Sequence, residues 1–421
     1  MKVFHRFSAE LDPQVIIISL MTLVIMLGSS VISPVLPLLA QEFGVSYAGA
    51  GALVSAFALG RIPFDFIGGA MVDRLSPRLV ATGGAAIVTL SALLSVWAAN
   101  FHALLWYRLI GGVGSALFVI TAMALLARSV APRRMGQAMG FYQSMLLLGV
   151  SFGPTIGGFS ATLFHSLRAP FWAMAVLSLA VTVLCLRWVT ECPAAAHETQ
   201  ASESRRETAR AVLMALLQDK TFRFVCILTF VLFGVRAGMT QNLMPLFAQE
   251  KLGMSETGIG VIQSLSSLGN FSVLWHAGRL LDRAGRRPVT LAGLWATVLV
   301  VAAFSWVTTP VLLAMAAVAF GVVAGYLGPA PAAVIADIAP KGSTGAVMGL
   351  YRMCGDIGLL LGPVSVGWTA ERFGFASAFL AAASAAMVVA LLGCGARETL
   401  HAPEIHLEAA LHEEKFTSAA D

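Results

Sequence analysis

Two arginine–aspartate pairs stand out by position. Arg61 and Asp65 are four residues apart, as are Arg352 and Asp356, and both pairs fall inside otherwise apolar sequence. A spacing of four puts each pair on one helix face, and ionisable side chains in such surroundings are costly enough to point to function. Two arrangements are open: two self-neutralising pairs, or one four-charge cluster if the two helices adjoin. Asp65 and Asp356 are the carboxylates placed deepest in apolar stretches, so carboxylate-based proton coupling falls to one of them. Arg108 and Arg236 have no acid nearby in sequence. A guanidinium offers a planar fork suited to carboxylate or phosphate, so these two point to an anionic ligand; contact with backbone carbonyls is the structural alternative. Gln241, Asn242 and Tyr326 are the polar residues expected beside them, with Gln143, Gln263 and Asn270 as further hydrogen-bonding groups.

Enzymatic chemistry has little to stand on. No Gly-x4-Gly-Lys-Ser/Thr run is present, so a nucleotide-driven machine is not indicated. Five cysteines are scattered without pairing or metal-ligand spacing, so neither a disulfide framework nor a metal site is implied. The expected ligands are a small molecule and protons, with no cofactor.

The elements that position these residues are set by composition. The chain has 421 residues, 58% of them hydrophobic and only 12% charged, with a mean hydropathy of +0.82. Soluble domains carry about 25% charged residues, so a disordered chain, a nucleic-acid binder and nearly every water-soluble enzyme are excluded. A bilayer crossing takes about 20 apolar residues. Twelve such stretches are read, from 14–39 to 375–395, in an all-α membrane protein. The first is a retained helix rather than a cleaved signal. One connection, 191–220, is long and polar; it reads as a linker between a six-helix half at 1–190 and another at 221–396, followed by a tail at 397–421. With both termini in the cytoplasm, 20 of the 27 basic residues lie on the cytoplasmic side, as the positive-inside rule requires.

A repeat confirms two halves at the level of sequence. Gly69-Ala-Met-Val-Asp73-Arg74 realigns on Gly278-Arg-Leu-Leu-Asp282-Arg283 at a spacing of 209 residues, which also carries Gly140 to Gly349, Gly149 to Gly358, Gly153-Pro154 to Gly362-Pro363 and Gly158 to Gly367. Parallel repeats of this kind enclose a site at their interface.

These residues resemble the major facilitator superfamily of secondary transporters. Gly278 through Arg287 matches the family's loop motif between spans 8 and 9, and Gly69 to Arg78 is its copy between spans 2 and 3, with Pro77 in place of a basic residue. Gly140-x8-Gly149-x3-Gly153-Pro154-x2-Gly157-Gly158 in span 5 is similar to the motif of proton-coupled antiporters, and Arg108-Leu-Ile-Gly-Gly-Val-Gly to the span-4 arginine motif. The resemblance implies several roles. Asp73 and Arg74, and more weakly Asp282, Arg283, Arg286 and Arg287, would latch one conformational state, Asp73 against the positive end of span 11. Gly149, Gly153, Pro154, Gly157 and Gly158 would let helices pack closely and seal span 5 against its partner in the other half. Spans 1, 4, 7 and 10 would line the cavity, and spans 2 and 11 would adjoin, which favours the four-charge cluster. The function implied is a proton-coupled transporter exporting a small organic compound; an importer or exchanger of a small organic anion is the alternative. The expected setting is a bacterial inner (plasma) membrane, as a multi-pass monomer.

Overall fold

The computed structural model describes residues 13–130, 134–189, 219–338, 344–395 and 398–399; the side chains of 65–70 and 72–74 are among those outside the description. Nearly all of the expected linker, the tail beyond 399, and the side chains of Asp65, Asp73 and Arg74 therefore lie outside the described residues. Within them the chain is helical: α1 Pro13–Val31, α2 Leu36–Glu42, α3 Tyr47–Arg74, α4 Pro77–Val96, α5 Phe101–Ser129, α6 Met135–Leu163, α7 Ala169–Trp188, α8 Lys220–Ala237, a π-turn at Gly238–Leu243, α9 Met244–Leu252, α10 Glu256–Ala284, α11 Arg286–Ala303, a 3₁₀ turn at Phe304–Trp306, α12 Pro310–Leu327, α13 Ala330–Ile338, α14 Thr344–Phe373 and α15 Phe375–Gly393.

Among the described residues, nine helical stretches are long and apolar enough to cross a membrane. The twelve stretches expected are not reached on apolarity alone, and the shortfall has a physical reason. Helices α3, α10 and α14 have 28, 29 and 30 residues, about 42–45 Å at 1.5 Å per residue. They are long enough, but α3 carries Arg61 and Asp65, α14 carries Arg352 and Asp356, and α10 carries Gln263, Asn270 and the serines Ser264, Ser266, Ser267 and Ser272. Those charged and polar side chains lower their apolarity.

The 209-residue spacing reappears in the devices that start and stop helices. Ser46 and Ser255 cap α3 and α10, each accepting from a backbone N–H three residues on; Asn100 and Thr309 cap α5 and α12 in the same way. Such caps satisfy donors that the first turn leaves unpaired. Gly44 and Gly253, and His165 and Gly374, all have positive φ (71°, 60°, 47° and 84°). Arg78 donates to the Leu186 carbonyl at the end of α7. Its counterpart Arg287 donates to the Cys394 carbonyl after α15, at 2.5 Å. Cations at helix C-termini complement the dipole.

Packing follows the same symmetry. Helix α1 packs on α6 as α8 packs on α14, and α3 packs on α5 as α10 packs on α12. Two crossings join the halves, α3 on α14 and α6 on α10. Both are drawn tight by glycines. A Cβ on Gly51 would lie 2.3 Å from the Pro363 carbonyl oxygen, and one on Gly260 2.2 Å from that of Pro154; Gly367 meets Tyr47 at 2.4 Å, and Gly158 meets Glu256 at 2.2 Å. Each contact in one crossing is the repeat image of a contact in the other. Thr257 Oγ1 donates to Thr162 Oγ1 at 2.9 Å, and the Tyr47 hydroxyl donates to Glu250. The halves are thus sealed at the end of the bundle that carries Tyr47.

The glycine row in span 5 needs correcting. Gly149, Gly153 and Gly157 face Leu23, Leu27 and Val31 of α1, in their own half. Gly158 and the Pro154 carbonyl make the cross-half contact instead, because 158 lies one residue around the helix from the row.

Candidate functional site

A cavity of about 240 Å³ lies between the halves beneath the Tyr47-end seal. Its walls come from α1, α3, α5 and α6 on one side and from α8, the π-turn, α10 and α12 on the other. The chain turns sharply at Ile32–Val35 after α1, with Ser33 and Pro34, and this break brings Ser33 to the wall beside Ser29 and Ser30.

Three guanidinium groups line it: Arg61 from α3, Arg108 from α5 and Arg236 from the last turn of α8. Gly112 and Gly60 bring α3 and α5 together, with Cβ positions 2.1 Å from the Phe57 and Leu109 carbonyl oxygens. That approach seats the Arg108 guanidinium 4.6 Å above the Phe57 ring centre. Arg108 is 6% exposed, and its Nε has no hydrogen-bond partner. Its repeat mate in α12, Ala317, is buried, so this charge belongs to one half only. No acidic residue is among the described residues lining the cavity.

The π-turn shapes the opposite wall. Wide turns of this kind occur frequently at functional sites. Thr240 and Gln241 line the cavity from it, and Thr240 Oγ1 donates to the Arg236 carbonyl at 2.7 Å. Val366 of α14 stands where the repeat has Gly157, with Cγ2 2.9 Å from the Cβ position of Gly238. Asn242, expected on the cavity wall, is fully buried where α3 crosses α14, and its Nδ2 donates to the Pro363 carbonyl at 2.8 Å. Tyr326 is not on the wall either. It is two residues beyond the lining residue Ala324, hence on another helix face, and its hydroxyl meets His276 Nδ1 at 2.9 Å.

Helices α3 and α14 carry the two Arg–Asp pairs. Their contacts step along an antiparallel register, Tyr47 with Gly367, Gly51 with Pro363, and Ser55 with Leu360. Extending it by whole turns brings Arg61 between the levels of Asp356 and Arg352. Asp356 is 7% exposed, whereas Arg352 is exposed and places Nη1 3.8 Å from Met123 Sδ of the other half. A double-mutant cycle on Arg61→Gln and Asp356→Asn, read by thermal unfolding in detergent, is expected to give a coupling of about 1–3 kcal/mol. Additive effects would assign the two to separate partners.

The second loop motif makes its contacts within its own half. Arg286 donates to Asp282 at 2.6 Å and to Asp337 at 3.1 Å, and Glu398 accepts from the backbone N–H groups of Arg286 and Arg287 at 2.9 and 3.0 Å. Arg283 is exposed at the end of α10.

Sequence reasoning passed over Phe57, Ser29 and Ser266 as wall residues. The repeat contained the missing signal: Val54 maps to Gln263, Phe57 to Ser266 and Arg61 to Asn270, and all six line the cavity.

A family model described as Major Facilitator Superfamily matches residues 18–271 and 226–414. The quinolone resistance protein NorA of Staphylococcus aureus (strain Mu50 / ATCC 700699) is 25% identical over 268 residues, 63% of this chain; the match spans 66% of that protein's length. The 3-(3-hydroxy-phenyl)propionate transporter of Escherichia coli (strain K12) is 26% identical over 343 residues, 78% of this chain and 79% of that protein. Among solved structures, that of a D-xylose-proton symporter is similar with a TM-score of 0.74 at 15% identity, over 93% of this chain and 99% of that one, a likeness of fold.

Proposed function

The chain belongs to the Major Facilitator Superfamily, whose members are transporters rather than enzymes, and on that premise we propose that it carries small organic anions across a membrane by alternating access, driven by a proton gradient. The observation that carries this reading is the pair Arg108 and Arg236 in one largely desolvated cavity, with no carboxylate on its described walls. A buried guanidinium without an anion is expensive, and a carboxylate substrate offsets that cost with charge-assisted, bidentate hydrogen bonds. The name of the 3-(3-hydroxy-phenyl)propionate transporter, an organic-acid carrier, supports the same substrate class.

In this reading the linker end faces the cytoplasm, both termini lie there, and the protein works as a monomer in a bacterial inner membrane. The two glycine crossings open and close the Tyr47 end as the halves rock, while Asp356 or Asp65 takes up and releases the proton. Asp73 and Arg74 hold the opposite state closed at the linker end. Export of a neutral or cationic drug-like compound is the second reading. It is favoured by the similarity to the quinolone resistance protein NorA and by the span-5 glycine–proline pattern.

Purified protein in liposomes, given a panel of carboxylates with an imposed pH gradient of either sign, tests the proposal. Saturable acid transport that reverses with the gradient and is abolished by a protonophore is expected. Gradient-driven movement of drug-like cations, with none of any acid, would put the export reading first.

A further inference from the structure

Gln263 of α10 lines the cavity and is 4% exposed. Its Nε2 donates to the Thr240 carbonyl at 2.5 Å. A carbonyl oxygen only accepts, so the amide orientation follows from chemistry: the nitrogen faces Thr240, and Oε1 is the free end. Oε1 has no hydrogen-bond partner. Two further lining groups, Ser29 Oγ and Arg108 Nε, are also unpartnered. Buried polar atoms in folded proteins are nearly always paired, and exceptions call for an explanation. Here three exceptions belong to side chains of one cavity wall.

The unpaired set has a definite polarity. Arg108 Nε is a donor and calls for an acceptor. Gln263 Oε1 is an acceptor and calls for a donor. Arg61, Arg108 and Arg236 on the same walls repel an ammonium group, so the donor is neutral; hydroxyl is the simplest one. Phe57, Phe320 and Val54 give the remainder of the wall an apolar character.

We propose that the substrate is a hydroxylated organic acid whose carboxylate is held by Arg108 and Arg236 and whose hydroxyl donates to Gln263 Oε1. This rests on the anion reading above and extends it by one functional group. A site built to receive a hydroxyl rejects the analogue that lacks it, because its own acceptor is then left unpaired.

The test is binding of benzoate, the three monohydroxybenzoates and the matching amides to full-length protein in detergent, by calorimetry. At least one hydroxybenzoate is expected to bind tenfold or more tightly than benzoate, and every acid more tightly than its amide. In Gln263→Met the hydroxyl preference should fall to within twofold. The quantity read is a ratio between two ligands on one variant, so a general loss of affinity does not mimic it. Acid preference without hydroxyl preference in the wild type, or a hydroxyl preference that survives Gln263→Met, overturns this proposal and leaves the anion reading standing. Equal binding of acids and amides, or binding of neither, overturns both. Should the variant not fold, the wild-type panel alone decides.

Discussion

Replacing Arg108 with methionine is expected to weaken carboxylate binding by about 30-fold or more while leaving the ligand-free protein as stable as before or more stable. The two effects have opposite signs because the guanidinium serves the ligand and not the fold. In this structure Arg108 is 6% exposed, has no acid among the described residues of the cavity wall and rests on the Phe57 ring at 4.6 Å. The cation–π contact returns about 2 kcal/mol when desolvated, less than the several kcal/mol of effective penalty for an ion removed from water. Methionine keeps much of the side-chain volume and removes that penalty. With a carboxylate bound, the balance reverses. Losing one partner of a buried, hydrogen-bonded charge pair costs about 2–5 kcal/mol, a 30-fold to several-thousand-fold weaker acid. Arg236→Lys should fall between wild type and Arg236→Ala, because lysine keeps the charge and loses the fork. Calorimetry on an acid and its neutral amide, with thermal unfolding of each empty variant, reads all of these. Equal losses for acid and amide would make the arginines structural, as would an Arg108→Met variant that unfolds well below the wild type.

The sequence carried much of this architecture because its main devices are local. Caps, left-handed turn residues and glycine–proline positions are set by a few neighbours, so the spacing that pairs Gly69 with Gly278 also pairs Ser46 with Ser255 and Gly44 with Gly253. Arg108 and Arg236 were legible because charge in an apolar stretch is conspicuous. The lining of the cavity was harder to read, because it depends on helix phase and on breaks in helix phase. The π-turn at Gly238–Leu243 inserts a residue's worth of rotation, and it puts Gln241 on the cavity wall while Asn242 goes to the α3–α14 crossing. No periodicity count anticipates that step. The direction of the Gly149, Gly153 and Gly157 row was equally hidden. A face without side chains says that some helix comes close, and only the packing says that it is α1.

The two classes of glycine contact predict different failures for the same substitution. Gly260 approaches the Pro154 carbonyl across the boundary between halves, at 2.2 Å from a Cβ position, and Gly157 approaches the Val31 carbonyl inside one half, at 1.7 Å. Both obstacles are backbone, so neither can swing aside. Rocking the halves apart relieves the first clash at no cost to either half, since in the proposed alternating-access cycle the Tyr47-end seal breaks each time. No rigid-body motion relieves the second, and α1 must leave α6. Gly260→Val is therefore expected to hold the Tyr47 end open, and Gly51→Val, its repeat image facing Pro363, should do the same. In a background without the five native cysteines, Ser33→Cys on the cavity wall should react at least tenfold faster with a membrane-impermeant maleimide applied from the Tyr47 side, a population shift of about 1.4 kcal/mol. The unfolding temperature should stay within about 3 °C of the parent, whereas Gly157→Val should lose about 1–3 kcal/mol to overpacking, with labelling unchanged. If Gly260→Val lowers stability as Gly157→Val does and leaves Ser33→Cys no more reactive, the α6–α10 crossing is a fixed core contact and the rocking seal lies elsewhere.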